Sequence, residues 1–186
     1  MTNFLSDYPR LIKNHKKLVG ISSTVPIEVI YSGGFVALDL NNVFITSPRN
    51  EELLKKSSEL APRAVCSWTR GILAAAVALK IKNAVIVTEG DCAHTVPITD
   101  ILNYKGIRAF SFEYPLDHDF NRLKAEIGRF VEYYKTDICS CEKIKEELDK
   151  TRSLLKKIDE MTYRELKVSG FENHVNLVSA SDFNSD

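Results

Sequence analysis

The chain has 186 residues, with 25 basic side chains against 25 acidic, 44% hydrophobic and 27% charged residues. That is a soluble globular composition, and a chain this long buries about 70% of the surface its unfolded form exposes, so a core needs neither disulfides nor metal. Zero net charge with interleaved lysines and acids, a longest apolar run of only 72–79, and a first stretch (MTNFLSDYPRLIKNHKK) without signal-peptide features argue against nucleic-acid or membrane partners and for a cytoplasmic protein.

Residues 18–21 form a short apolar strand candidate, and Pro26 opens a helix through Ile30 and Tyr31 that Gly33-Gly34 ends. A second strand follows at 35–40 (FVALDL), then a turn at Asn41-Asn42. Ser47-Pro48 reads as an N-cap with proline at the first helical position, starting a helix through Leu53, Leu54 and Leu60 that Pro62 closes. After a loop at Cys66-Ser67-Trp68-Thr69-Arg70-Gly71, the run ILAAAVALK predicts a buried helix to about Lys80. The β-branched run 84–88 (AVIVT) reads as a buried parallel strand, Asp91-Cys92-Ala93-His94 as a loop, 95–104 as a short helix and 107–112 as a strand closed by Glu113-Tyr114-Pro115. This alternation predicts an α/β fold: a Rossmann-like parallel sheet of about four strands flanked by helices, over 1–118.

From Asp119 the strand signals stop, and helices are expected at 120–134, 138–161 and 171–178. Residues 119–186 thus form a helical C-terminal part, and the abrupt ending SASDFNSD suggests that it leads to a second half absent here. In the long helix Cys141, Ile144, Leu148, Thr151, Leu155 and Ile158 recur at three- and four-residue steps, a stripe for packing on a neighbour or another chain.

A reducing cytoplasm argues against reading the four cysteines as a disulfide framework. Cys66 precedes a buried helix and Cys92 lies just past a core strand, so both belong to the sheet edge where α/β proteins collect ligands. Positive helix ends there stabilise thiolates and anionic thiolate-bound clusters. The spacing does not match the paired C-x-x-C of zinc ribbons or bacterial ferredoxins, and simple packing is the ordinary alternative for any one cysteine.

The run Val25-Pro26-Ile27-Glu28-Val29-Ile30-Tyr31-Ser32-Gly33-Gly34, the Cys66–Gly71 segment and Val87-Thr88-Glu89-Gly90-Asp91-Cys92 resemble the 2-hydroxyacyl-CoA dehydratase family. That family includes the 2-hydroxyglutaryl-CoA dehydratase D-component and relatives of benzoyl-CoA reductase. Phe112-Glu113-Tyr114-Pro115 and Ser169-Gly170-Phe171-Glu172-Asn173-His174 look like its later landmarks in the same order. The likeness corresponds to about the first half of a typical family subunit.

The resemblance implies an oxygen-sensitive [4Fe-4S] cluster on three cysteines between two Rossmann-like halves, in a lyase working anaerobically. It also implies a paired dehydratase subunit, an ATP-dependent activator that delivers one electron, and a CoA thioester whose 2-hydroxyl group leaves as water through a ketyl radical. Cys66 and Cys92 match the first two ligands, while the third comes from the missing half. Cys139 is a candidate local source of that third thiolate, whereas Cys141 sits on the apolar stripe and reads as packing. His94 is either a ligand or hydrogen-bond partner of the cluster, or a polar loop residue near Thr95. Trp68 and Arg70 shape the Cys66 loop, with charge compensation or CoA phosphate binding as a further role for Arg70. Glu28 sits in a helix first turn, where a carboxylate suits the dipole or moves a proton, and Asp91 reads equally as a turn former. The chain lacks G-x-x-x-x-G-K-[ST], which leaves any ATP use to a partner. The alternatives are a stand-alone iron–sulfur electron-transfer or assembly protein, a benzoyl-CoA-reductase-like subunit, and an α/β scaffold without metal.

Overall fold

A computed structural model describes residues 17–181; the segments 1–16 and 182–186, on which the targeting and chain-ending readings rest, lie outside them. Four parallel strands, β1 (Leu18–Ile21), β2 (Val36–Asp39), β3 (Asn83–Glu89) and β4 (Arg108–Glu113), lie in the order β2-β1-β3-β4. The period-two alternation of strand side chains sorts them onto two faces. Val19, Ile21, Val85, Val87, Phe110 and Phe112 point to one, and Ala84 and Ile86 to the other. With helices over both faces, the strands carry the continuous apolar runs of a buried parallel sheet.

Helix α1 (Ile27–Ser32) joins β1 to β2, packing Val29 and Ile30 on the first face. Three helices join β2 to β3: α2 (Leu40–Thr46), α3 (Asn50–Ser57) and α4 (Ser67–Ala78). Ile72, Leu73 and Ala76 of α4 cover the second face, beside Ile98 and Leu102 of α5 (Val96–Tyr104), which joins β3 to β4. Gly71 lets α4 seat directly on α2, since a Cβ there would stand 2.4 Å from the Phe44 ring. The chain leaves β1 in one direction and reaches β3 in the other, so the loops after these two strands part at their carboxyl ends.

The helical C-terminal part shares this core. From α6 (Phe120–Tyr133), Phe130 packs on Phe110 and Phe112 at ring-centroid distances of 5.0 and 5.2 Å. Cys141 and Leu148 of α7 (Ile138–Tyr163) close the same cluster against α1. The last helix, α8 (Gly170–Ser179), starts with a reciprocal Ser169–Glu172 cap and ends where Asn42 Nδ2 donates to Val178 O at 2.8 Å.

Three local expectations change. Asn41-Asn42 is no turn but the first turn of α2, because Asp39 caps that helix by accepting from both backbone N–H groups. Helix α4 starts at Ser67, ahead of the run ILAAAVALK that predicts it, which makes Cys66 its N-cap. Ser47 Oγ accepts from Arg49 N at 3.1 Å in a turn, and α3 begins only at Asn50.

Candidate functional site

The parted loops frame a cavity of about 250 Å³ whose walls include Ser22, Asn41, Trp68, Asp91, Cys92 and Thr95. The walls come from the exits of β1 and β3 and the starts of α2 and α4, which is what a doubly wound sheet supplies at its switch point. Cys66 and Cys92 are both exposed at this edge. Cys66 caps α4, and Cys92 precedes the single 3₁₀ turn Ala93–Thr95 that runs into α5. Two thiols therefore stand where adjacent helices present open N–H groups.

The loops are fixed by polar groups that the sequence does not mark as functional. Ser22 continues the ladder beyond β1, donating its N–H to Val85 O at 3.1 Å and accepting Val87 N–H on Oγ at 3.0 Å. Thr95 Oγ1 lies 2.6 Å from both Val87 O and Cys92 O, pinning the Cys92 turn to its strand. Asp91 Oδ1 accepts from Cys92 N at 2.7 Å. Asn41 Nδ2 donates to Ser22 O and Asp39 Oδ1, both at 2.9 Å, and its Oδ1 accepts from Trp68 Nε1 at 2.6 Å. His94 Nδ1 accepts from Cys66 N at 3.1 Å, joining the two cysteine loops.

A second layer supports the Cys92 loop. Gly90 has φ +84°, and a Cβ there would fall 2.6 Å from Tyr114 Cβ, so only glycine fits the strand exit. Glu89 accepts from Leu116 N at 2.9 Å and pairs with Arg122 at 3.2 Å, and Arg122 also reaches Asp117 at 2.9 Å. Arg122 holds the Asp117 carboxyl below the usual carboxylate range. Glu28, considered above as a proton carrier, is paired with Arg152 of α7 at 2.7 Å and so has a structural partner. Tyr114 donates to Thr24 O at 3.0 Å, and burial, then the nearby Glu28 charge, raises its pKa.

At Cys66 the first-turn amides of Thr69 and then Trp68 lower the thiol pKa below the ordinary 9.0 against a small cost of burial, and Arg70 contributes less. Neither amide closes a full capping hydrogen bond. The effect is an orientation of N–H dipoles toward sulfur, as a helix N-terminus provides. Arg70 reaches Ser58 Oγ at 3.3 Å and Ser67 Oγ at 3.5 Å, so it braces this loop as expected.

Cys139 and Cys141 lie elsewhere. Cys141 Sγ is 3.2 Å from Ser32 Oγ, at the last residue of α1. Helix α1 runs back from the carboxyl edge to the amino edge, so this turn of α7, with Cys139 two residues away, sits at the opposite end of the sheet. The four residues of β1 alone put roughly 13 Å between the edges. The structure thus brings together Cys66, Cys92 and His94 and leaves Cys139 apart. Among the described residues no group of three or more His, Cys, Asp or Glu side chains is arranged to hold a metal ion. Two thiols at helix N-termini suit part of the ligand set of an iron–sulfur cluster.

A family model described as 2-hydroxyglutaryl-CoA dehydratase, D-component, matches residues 22–185. The chain belongs to this family. It is a subunit of the 2-hydroxyacyl-CoA dehydratase type, from a family generally associated with iron–sulfur centres, and membership implies a paired dehydratase subunit and a CoA thioester substrate. No curated protein matches the chain. Among the described residues no helix is long and apolar enough to cross a membrane.

Proposed function

We propose that this chain supplies Cys66 and Cys92 as two thiolate ligands of a [4Fe-4S] cluster in a 2-hydroxyacyl-CoA dehydratase, at the carboxyl edge of its parallel sheet. The observation that supports this most is the link from Cys66 N to His94 Nδ1, which ties both exposed cysteines to one edge of one sheet. When bound, the cluster supplies one-electron chemistry for removing water from the CoA thioester of a 2-hydroxy acid. The chain's own part is to hold the two ligands at one edge, Cys66 beside open helix amides that favour its anionic sulfur, and to shape the adjoining 250 Å³ cavity. Cys139, at the far edge, is not a ligand in this reading. The third thiolate comes from a second α/β half or the paired subunit, and the electron from an ATP-dependent activator, since the chain has no P-loop.

The test is iron and acid-labile sulfide per chain after anaerobic reconstitution of the protein with its paired subunit. The expected outcome is about four irons, abolished by Cys66→Ser and by Cys92→Ser and retained by Cys139→Ser. Full iron in the Cys92→Ser protein removes the proposed site. Iron lost only with Cys139→Ser moves it to the other edge.

A further inference from the structure

We propose that His94 is a positioning residue, a clamp that fixes the Cys66 loop to the Cys92 loop so that the two thiols keep a set separation before anything binds them. Its purpose rests on the reading of Cys66 and Cys92 as a ligand pair, while the clamp itself rests on the hydrogen bond. The Cys66 N–H precedes the first residue of α4 and has no acceptor within the helix ladder. His94 Nδ1, from a loop 28 residues away, accepts it at 3.1 Å. An imidazole nitrogen that accepts a hydrogen bond offers its lone pair to that donor, so this bond uses up Nδ1. In this geometry His94 orders a ligand and does not serve as one through Nδ1.

A second bond two residues on makes the constraint rigid. The Asn41 amide is oriented by three partners, its Nδ2 toward Ser22 O and Asp39 Oδ1 and its Oδ1 toward Trp68 Nε1, and a flip would set donor against donor. The Cys66 loop is therefore held from the β3 side by His94 and from the β2 side by Asn41, and its thiol has little freedom to drift from Cys92.

Full-length wild-type, His94→Leu and His94→Asn proteins test the clamp by amide exchange in NMR and by the rate at which a chelator strips iron from the reconstituted complex. In His94→Leu the Cys66 amide is expected to exchange about fivefold to tenfold faster, the effect of one lost hydrogen bond, with Val85 and Val87 unchanged. Iron should leave at least about threefold faster from the same loss of ordering. His94→Asn, whose Oδ1 can replace Nδ1 as acceptor, should restore both values. Unchanged Cys66 exchange in His94→Leu overturns the clamp, and faster exchange with wild-type iron retention overturns its positioning role. Iron lost from both variants with the Cys66 amide still protected marks His94 as a ligand instead. A wild-type protein that protects this amide through His94 yet takes up no iron refutes the cluster reading and leaves the clamp standing.

Discussion

Cys66 occupies an N-cap, a place that usually goes to serine, threonine, aspartate or asparagine. A thiol is a weaker acceptor than a hydroxyl, so its presence there sacrifices capping strength for sulfur chemistry. Because the amides of Thr69 and Trp68 favour its thiolate, the folded chain releases this proton more easily than the unfolded chain. The resulting stabilisation is complete above the unfolded value of 9.0 and is lost as pH falls through the lower folded value. Iodoacetamide pulses followed by peptide mapping should give a Cys66 rate profile with its midpoint below 9.0. A midpoint at or above that value removes the helix-end argument. Gly90 makes the second residue-level prediction. Its positive φ and the 2.6 Å approach of Tyr114 mean that Gly90→Ala strains the backbone and pushes on the β4 loop. A loss of about 1–3 kcal/mol in urea unfolding is expected, whereas Gly128→Ala, inside α6 where a Cβ meets nothing within 4 Å, should gain roughly 0.5–1 kcal/mol from helix propensity.

At the scale of elements, the strands and most helices were legible because their apolar periodicity and their punctuation agree. Ala84, Val85, Ile86 and Val87 leave no polar position for a solvent face, and Pro26 and Gly33 bracket α1. The start of α2 was not legible, because two asparagines have poor helix propensity and read as a turn. Asp39 at the strand end, followed by Leu40, Val43 and Phe44 at helical spacing, was the available signal. The site was half legible: the two cysteines follow from strand and helix ends, but the His94–Cys66 and Asn41–Trp68 bonds join residues 28 and 27 apart and leave no local pattern. The α7 stripe divides in the structure, Cys141 and Leu148 being buried and Thr151 exposed. Leu148→Ala should therefore cost about 2–4 kcal/mol by emptying a site in the shared core. Thr151→Ala, on the same stripe but in solvent, should stay within about 0.5 kcal/mol. Equal effects in a denaturation series would mean that α7 packs as a uniform stripe and not against the sheet.

For the molecule as a whole, β4 is a sheet edge, with backbone groups turned away from β3 and free in principle to pair with another chain. Side chains occupy three of them. Asn103 Oδ1 accepts from Ala109 N at 3.0 Å, Arg129 donates through Nη2 to Ser111 O at 2.5 Å, and Glu126 Oε1 accepts from Glu113 N at 3.1 Å. Arg129 and Glu126 are themselves paired at 2.6 Å, and Arg129 lies over the Phe110 ring, so the two act as one cover. A strand approaching this edge would have to displace the Arg129 and Glu126 side chains from Ser111 O and Glu113 N–H before it could pair with either group. The doubly substituted Glu126→Ala/Arg129→Ala protein uncovers Ser111 O and Glu113 N–H together and removes the ion pair that covers them. It should associate in a concentration-dependent way in sedimentation velocity, while wild type under the same conditions should not sediment as an edge-paired species. Pro substitution at Ser111, whose N–H points off the outer edge, should reverse the association without restoring the ion pair, because it withdraws a donor that the incoming strand needs. Association that survives Ser111→Pro would place the contact on a surface other than this edge.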